Sequence, residues 1–314
     1  MILRFLLPRI LTAVLAALLS CLIVFLLMRS VPGDIVGQML GQTSDPTAAL
    51  ALRSFFGLDQ PIHTQFLIWL SHLLQGDLGK SWYQGQPVTH LIAQAFSVTF
   101  EVALLTLFIA TVVGVPLGVI AGIYEGSRLD AAIQTFNLIG LSAPIFWVGL
   151  MLLVGTSAVV GWSPPFAYSS PFENLTENLE IVLLPVLSLA FLQAAAYSHF
   201  VRDCMISELR RDYIRAAVAK GLKPSQIYFK HALRNILIPL ITFMGLILIQ
   251  ILGGTVVIES LFSLPGLGRL ILSGIQGRDY PVVQGALLFV VVIAICINFT
   301  VDLMYVWIDP RMRT

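Results

Sequence analysis

RDCMISELRRDYIRAAVAKGLKPSQIYFKHALRN, residues 202–235, is the one long polar interruption in a chain of 314 residues that is 57% hydrophobic and 11% charged. It holds Arg202, Arg210, Arg211, Arg215, Lys220, Lys223, Lys230 and Arg234, eight of the 18 basic residues. A block this basic between two apolar runs marks the cytoplasmic face of a membrane, because Lys and Arg are retained inside during insertion. Within it a short helix is expected with both ends signalled. Asp212 suits the N-cap, Tyr213 to Lys220, through Ala216, suit the helix, and Gly221 suits the left-handed position beyond its basic end. Pro224 stands where a second helix can begin, since its missing N–H costs nothing in a first turn. Ile214, Ala217, Val218 and Gly221 recur at helical spacing, while Arg211, Arg215 and Lys220 fall elsewhere on the surface. Such a stripe of small and modest side chains predicts a face that another protein can approach closely. A helix lying on a membrane would carry Leu, Phe or Trp there. The same residues also read as a basic loop that only fixes topology.

Either way the surrounding chain must cross a bilayer. A mean hydropathy of +0.89 with a net charge of +1 excludes a soluble domain with a large core. Apolar runs of spanning length occur at 10–28, 98–123, 131–160, 181–201, 236–258 and 282–308, which predicts six spans. The first follows Arg4 and Arg9 and resembles a signal peptide in its charged start, but it lacks a small-residue cleavage site with a plausible mature start. It is read as an uncleaved first span with its N-terminus inside. The third is long enough for a kink or a re-entrant end, with Pro144 as the disturbance. With the N-terminus inside, the inner segments hold 13 basic residues in 56 positions and the outer ones 5 in 112. The reverse orientation would put the basic excess outside, so both termini are expected in the cytoplasm.

The expected division is 1–93, the first span and an external loop; 94–308, a core of five spans carrying the 202–235 loop; and 309–314, a cytoplasmic tail. The loop at 29–97 is too apolar for a disordered linker and predicts short helices. Its Gly79-Lys80-Ser81 invites comparison with a phosphate-binding loop, but Leu74 stands where the first glycine of that motif belongs. Gly114, Gly118 and Gly122 place three backbone notches on one face of the second span, a pattern for close helix packing in lipid rather than for lining a pore.

Glu101, Gln193, His199, Gln250, Glu259, Asn298 and Asp302 lie in or near spans, most of them near expected ends where snorkelling satisfies them. A proton or sodium relay would need several near midspan, which weighs against an ion-coupled carrier. An intramembrane enzyme is disfavoured too, since neither GxSxG with a matched histidine nor HExxH occurs. His63, His72 and His90 are irregularly spaced and read as surface residues rather than a metal site. Cys21, Cys204 and Cys296 are far apart, forming no CxxC pair and no disulfide framework. In the last external stretch, Pro265, Gly266 and Gly268 predict a tight non-helical turn, and Arg278-Asp279 a local ion pair.

RAAVAKG at 215–221, followed by a hydrophobic run with Pro239, resembles the "EAA" loop of ATP-binding-cassette importer permeases, with Arg215 where that motif has Glu. VPGDIVG after the first span, FGLDQP and GDLGKS in the first loop, ESLFSLPGLGRLILSGIQGRDYPVVQG and the terminal VDLMYVWIDPRMRT extend the resemblance to nearly the whole chain. Together they are similar to the B-type permease of peptide, oligopeptide and nickel importers. The resemblance implies an all-α integral membrane protein with the six-helix type I ABC importer permease fold and a helical external loop after the first span. It implies a bacterial inner-membrane subunit that pairs with a second homologous permease, two cytoplasmic ABC ATPase subunits and an external solute-binding protein. Asp212, Tyr213, Ile214, Arg215, Ala216, Ala217, Val218, Lys220 and Gly221 would form the ATPase-coupling segment. No cofactor or metal is expected on this chain, ATP and magnesium belonging to the ATPases, and no nucleic acid is expected as a partner. The implied cargo is a di- or oligopeptide, with a nickel or metal-chelate cargo as the alternative. An ion-coupled carrier or channel is the competing class.

Overall fold

The computed structural model describes residues 2–30, 36, 40, 46–55, 57–165 and 167–308. The tail at 309–314, the VPGDIVG string apart from Val36, and Phe56 of FGLDQP lie outside the described residues. Apart from one isolated antiparallel bridge, Lys80 to Pro87, the described regular structure is helical. Among the described residues five helices are long and apolar enough to cross a membrane, and a pair of helices bent by 101° makes six if it is one broken span rather than a re-entrant loop. The chain divides into two compact units, residues 1–96 with 269–295, and 97–268 with 296–314. The first unit thus joins residues 269–295 to the N-terminal part, a non-local association that no compositional shift announces.

The first unit contains α1 (Ile2–Ser30), α2 (Pro46–Phe55) and α3 (Ile62–Leu74). It also contains the start of α4 (Val88–Ile123), the end of α11 (Leu267–Gly277) and the start of α12 (Tyr280–Ile308). The first loop is therefore helical, as its composition predicts, but it ends at Pro87 rather than 97. Helix α4 begins ten residues before its apolar run, through His90 and Gln94, because a helix is not obliged to stop where hydropathy drops. Met28, Val36, Tyr280 and Val283 form a buried cluster, with Leu52, Leu58 and Trp82 packed on it. The Phe25 ring meets Phe66 at 5.3 Å and Trp69 at 5.7 Å between centroids, which joins α3 to α1. Gly79-Lys80-Ser81 is irregular chain around the bridge residue Lys80, with Gly79 at φ +81. Its buried Ser81 hydroxyl donates to Asp279 and accepts from the Gln84 N–H at 2.9 Å. The Trp82 N–H also donates to Asp279, at 3.2 Å. The expected Arg278-Asp279 ion pair is thus corrected. Asp279 is buried and turned to Ser81 and Trp82, and among the described residues no ion pair joins it to Arg278.

The second unit holds the rest of α4, α5 (Arg128–Ser142), α6 (Ile145–Gly155) with a π turn to Val160, and α7 (Leu175–Leu209). Then come α8 (Asp212–Ala219), a π segment over Gln226–Ala232, α9 (Leu233–Gly254) and α10 (Val256–Leu261). The disturbance expected at Pro144 is a 101° break between α5 and α6. Its cause is local: the proline ring excludes helical conformation from Ala143, which is extended at ψ 127, while its own φ of −62 starts the next helix. Helix α7 is the central one, with 61% of its most apolar window buried against at most 33% for any other span. The three glycines of α4 face it. A Cβ on Gly114 would lie 2.5 Å from the Ala194 carbonyl oxygen, and one on Gly118 2.5 Å from that of Ser198. On Gly122 it would lie 2.6 Å from Met205 Cβ. The two helices are in backbone contact along three turns.

Glu259 does not snorkel as its place near a span end suggested. It is 1% exposed, accepts the Thr99 hydroxyl at 2.7 Å, and Thr99 Oγ1 in turn accepts the Leu267 N–H at 2.8 Å. A Cβ on Gly266 would fall 2.2 Å from the Glu259 carboxyl carbon, so the turn closes over the acid only because glycine stands there. Gly268 belongs to α11 rather than to the non-helical turn expected of it, because the helix begins at Leu267.

Candidate functional site

The residues from 202 to 235 are mostly helical. Arg202 to Leu209 continue α7, and Gln226 to Asn235 lead into α9, so the connection proper is α8 and its flanks. The N-cap of α8 is Arg211 at ψ 150. Asp212, expected there, is the first helical residue, where its carboxylate still suits the positive end of the helix. The other end is built as expected. Gly221 has φ +76, its N–H donates to the Val218 carbonyl at 2.9 Å, and the Leu222 N–H donates to that of Ala217 at 3.3 Å, the Schellman pair. The helix that follows starts at Pro224.

The stripe of Ile214, Ala217, Val218 and Gly221 is not one free face. Ile214 is 4% exposed and Ala217 half-buried, so this side packs on the chain itself, while Val218 is 58% exposed. Arg215, Ala216, Ala219, Lys220 and Gly221 are exposed as well. An apolar side chain at the end of a polar connection is buried by whatever lies nearest, and for Ile214 that is its own unit. The exposed surface of α8 is Ala216, Val218 and Ala219 between the basic groups Arg215 and Lys220.

What holds α8 in place is Glu208, in the last turn of α7 and 5% exposed. It accepts from the Tyr213 hydroxyl, from Asn235 Nδ2 at 2.9 Å and from Arg211 Nε at 2.9 Å, tying α7, α8 and α9 at one carboxylate. Asn235 Nδ2 also reaches the Tyr213 oxygen at 2.8 Å. Burial, and then the Glu208 carboxylate, push the Tyr213 hydroxyl above its ordinary range, so it keeps its proton and remains a donor. Much of the basic block is paired locally. Arg210 meets Glu125 at 2.7 Å, Arg215 meets Asp212 at 3.3 Å, and Arg202 forms a two-pronged pair with buried Asp130 at 2.7 and 2.8 Å. Asp130 also accepts the Gly126 N–H at 2.9 Å, which fixes the turn between α4 and α5. Glu208, Asn235, Asp130 and Glu125 were not singled out from sequence. An acid three residues before Arg211 is a visible signal, but the other partners are distant in the chain.

Among the described residues no group of three or more His, Cys, Asp or Glu could hold a metal ion. His72 pairs with Asp77 at 3.3 Å. The three cysteines are free thiols.

The second unit is a bundle of apolar helices around α7 that presents a short helix, α8, held at Glu208 and bare at Ala216, Val218 and Ala219. The chain belongs to the binding-protein-dependent transport system inner membrane components: that family's profile matches residues 114–314, and the profile for the N-terminal part of such components matches residues 2–103. It is 35% identical over 280 residues to the probable peptide ABC transporter permease protein y4tP of Sinorhizobium fredii, covering 86% of this chain and 90% of that one. It is 36% identical over 277 residues to the di/tripeptide transport system permease protein DppB of Pseudomonas aeruginosa, 82% of each chain. It is 35% identical over 277 residues to the oligopeptide transport system permease protein AppB of Bacillus subtilis, covering 86% of this chain and 87% of that one. Among solved structures, the inward-facing methionine ABC transporter MetNI matches 70% of this chain and 97% of its own chain, with a TM-score of 0.58 and 20% identity, a likeness of fold. The family and the fold are those expected from the sequence.

Proposed function

We propose that this chain is the permease subunit of a peptide importer, carrying di- or oligopeptides across the inner membrane by alternating access. The observation that carries the reading is α8, held by Glu208 and bare at Ala216, Val218 and Ala219, in a chain whose relatives are described as peptide permeases. The nickel alternative draws no support from those relatives. Two cytoplasmic ATPases, a second homologous permease and an external binding protein complete the machine. For ATP to drive it, the ATPases must bind α8 better in one state of the bundle than in the other, since equal affinity shifts nothing.

Val218→Arg tests the docking surface. An unpaired charge buried at an interface costs on the order of 2 to 5 kcal/mol. That corresponds to more than about tenfold loss of docking. ATPase subunits should be lost from the purified complex and peptide uptake should fall, while membrane insertion survives. Arg215→Ala, which removes an exposed pair with Asp212 and a long, exposed hydrogen bond to the Arg210 carbonyl at 3.4 Å, should change little. Full retention and uptake in Val218→Arg would return α8 to a purely topogenic role. Uptake that continues without the ATPases would point to a carrier or channel.

The orientation, both termini and α8 in the cytoplasm, is tested by single cysteines in a background lacking Cys21, Cys204 and Cys296. Phe172, 98% exposed in the loop before α7, should react as cysteine with an impermeant thiol reagent added outside. Exposed Ser225, changed to cysteine, should react only after the membrane is opened. Labelling in the opposite sense would invert the topology.

A further inference from the structure

The first unit contains a cavity of about 210 Å³ lined by Arg29, Gln65, Trp69, Trp82, Tyr280 and Gln284, with His72 and Asp77 at its edge. Three of its polar side chains have an atom without a hydrogen-bond partner among the described residues: Arg29 Nε, Gln65 Oε1 and Gln284 Nε2. Gln284 is only 5% exposed, and a buried donor left unbonded is costly unless something else satisfies it. Gln65 is oriented by its own Nε2, which donates to the Gln60 carbonyl at 2.7 Å and leaves Oε1 as the acceptor on offer. Arg29 forms no ion pair with a carboxylate among the described residues. Its guanidinium carbon sits 5.3 Å from the Phe25 ring and 5.7 Å from the Tyr280 ring, held by aromatic faces that leave its hydrogen bonds available. Asp77 supplies the opposite charge. Its carboxylate accepts the Gly79 N–H at 2.8 Å and meets His72 at 3.3 Å, contacts that hold it below the usual carboxylate range and leave it ionised with lone pairs to offer.

We propose that this cavity binds a phospholipid headgroup that joins a phosphate to a primary ammonium, as in phosphatidylethanolamine. The phosphate is matched by Arg29 and Gln284, and the ammonium by Asp77, Gln65 Oε1 and the tryptophan faces. A lipid fits better than a free zwitterion because of where Arg29 stands. It is in the last turn of α1, at the end of an apolar span, the depth of headgroups. Leu26 and Leu22 lie three and seven residues before it on the same helix stripe and are exposed, a track for an acyl chain below the headgroup.

The test uses the full complex, stripped of lipid in detergent and returned to bilayers of defined composition. Bound lipid is counted by mass spectrometry of the intact complex, a readout that does not depend on transport. Phosphatidylethanolamine should be retained over phosphatidylcholine, whose ammonium has no N–H to donate, and over phosphatidylglycerol, which has no ammonium. Arg29→Gln should lower its retention about tenfold, the loss of a charge-assisted pair. Asp77→Asn, on an exposed turn where folding is not at stake, should keep lipid bound but erase the preference for phosphatidylethanolamine over phosphatidylglycerol. Soluble glycerophosphoethanolamine should compete only at far higher concentration. Competition by a dipeptide at low concentration would make the cavity a peptide subsite and overturn the proposal. So would unchanged lipid retention and preference in both variants.

Discussion

Gly118→Leu is expected to prevent the second unit from packing, with a loss of about 3 kcal/mol or more, at or above the top of the ordinary range for overpacked cores. Even a methyl group there would sit 2.5 Å from the Ser198 carbonyl oxygen and 2.7 Å from Val201 Cβ. A backbone oxygen in the middle of α7 cannot rotate out of the way as a side chain can, so the helices must separate. Separation at Gly118 also loosens the contacts one turn away at Gly114 and Gly122. Lipid offers α4 no hydrophobic reason to return, because in a bilayer helices are held by close packing and polar contacts. The order of severity follows from what each Cβ would meet. Gly114 and Gly118 meet backbone oxygens, whereas Gly122 meets first the side chain of Met205, so Gly122→Ala should be the mildest of the three alanine variants. Gly155→Ala is the control, since nothing lies within 4 Å of that position. The aggregation temperature of the detergent-solubilised complex reads this series. A Gly118→Leu midpoint no lower than that of Gly155→Ala would mean that the α4 to α7 contact does not hold the unit together.

Those glycines were legible in the sequence because a four-residue repeat of missing side chains has few uses inside an apolar helix. So was the end of α8, where Lys220, Gly221 and Leu222 carry a local rule about left-handed backbone, and so was the break at Pro144. Five of the six expected spans, and the bent pair at the third, followed from run lengths that only a bilayer explains. What could not be read has a common cause, that the deciding contact lies far along the chain. Thr99 meets Glu259 and Ser81 meets Asp279 across some 160 and 198 positions. Nothing in either local stretch distinguishes a buried, satisfied acid from one that snorkels or pairs with its neighbour. The burial of Ile214 was hidden for the same reason, since periodicity shows that Ile214 and Val218 share a side but not that the chain itself covers one of them. Charge counting treated the 202–235 block as uniformly basic, whereas Arg202, Arg210, Arg211 and Arg215 each have an acidic partner.

Glu208→Ala is expected to uncouple the transporter while leaving it in the membrane. Helix α8 would still form, because its Schellman end and its first-turn acid are local, but the carboxylate that fixes its direction would be gone. Of the three donors released, Arg211 is well exposed and rehydrates cheaply. The Tyr213 hydroxyl and the Asn235 amide keep their own 2.8 Å contact, but each loses its bond to a charged group, worth about 1.5 to 3 kcal/mol. That is enough for α8 to leave its seat and rejoin it as a loosely tethered segment. On the proposed function, ATPases docked to such a segment would close without moving the bundle, so ATP hydrolysed per peptide imported should rise roughly tenfold, the change that about 1.4 kcal/mol makes in the seated fraction. Glu208→Gln keeps an oxygen for Tyr213 and Asn235 and should restore most of the coupling. Tyr213→Phe removes one donor and should fall between the two. A purely structural role would lower the aggregation temperature and the uptake together and leave the ratio of hydrolysis to uptake unchanged. An unchanged ratio in Glu208→Ala, with complex intact and uptake normal, would show that α8 transmits force without being held at this carboxylate.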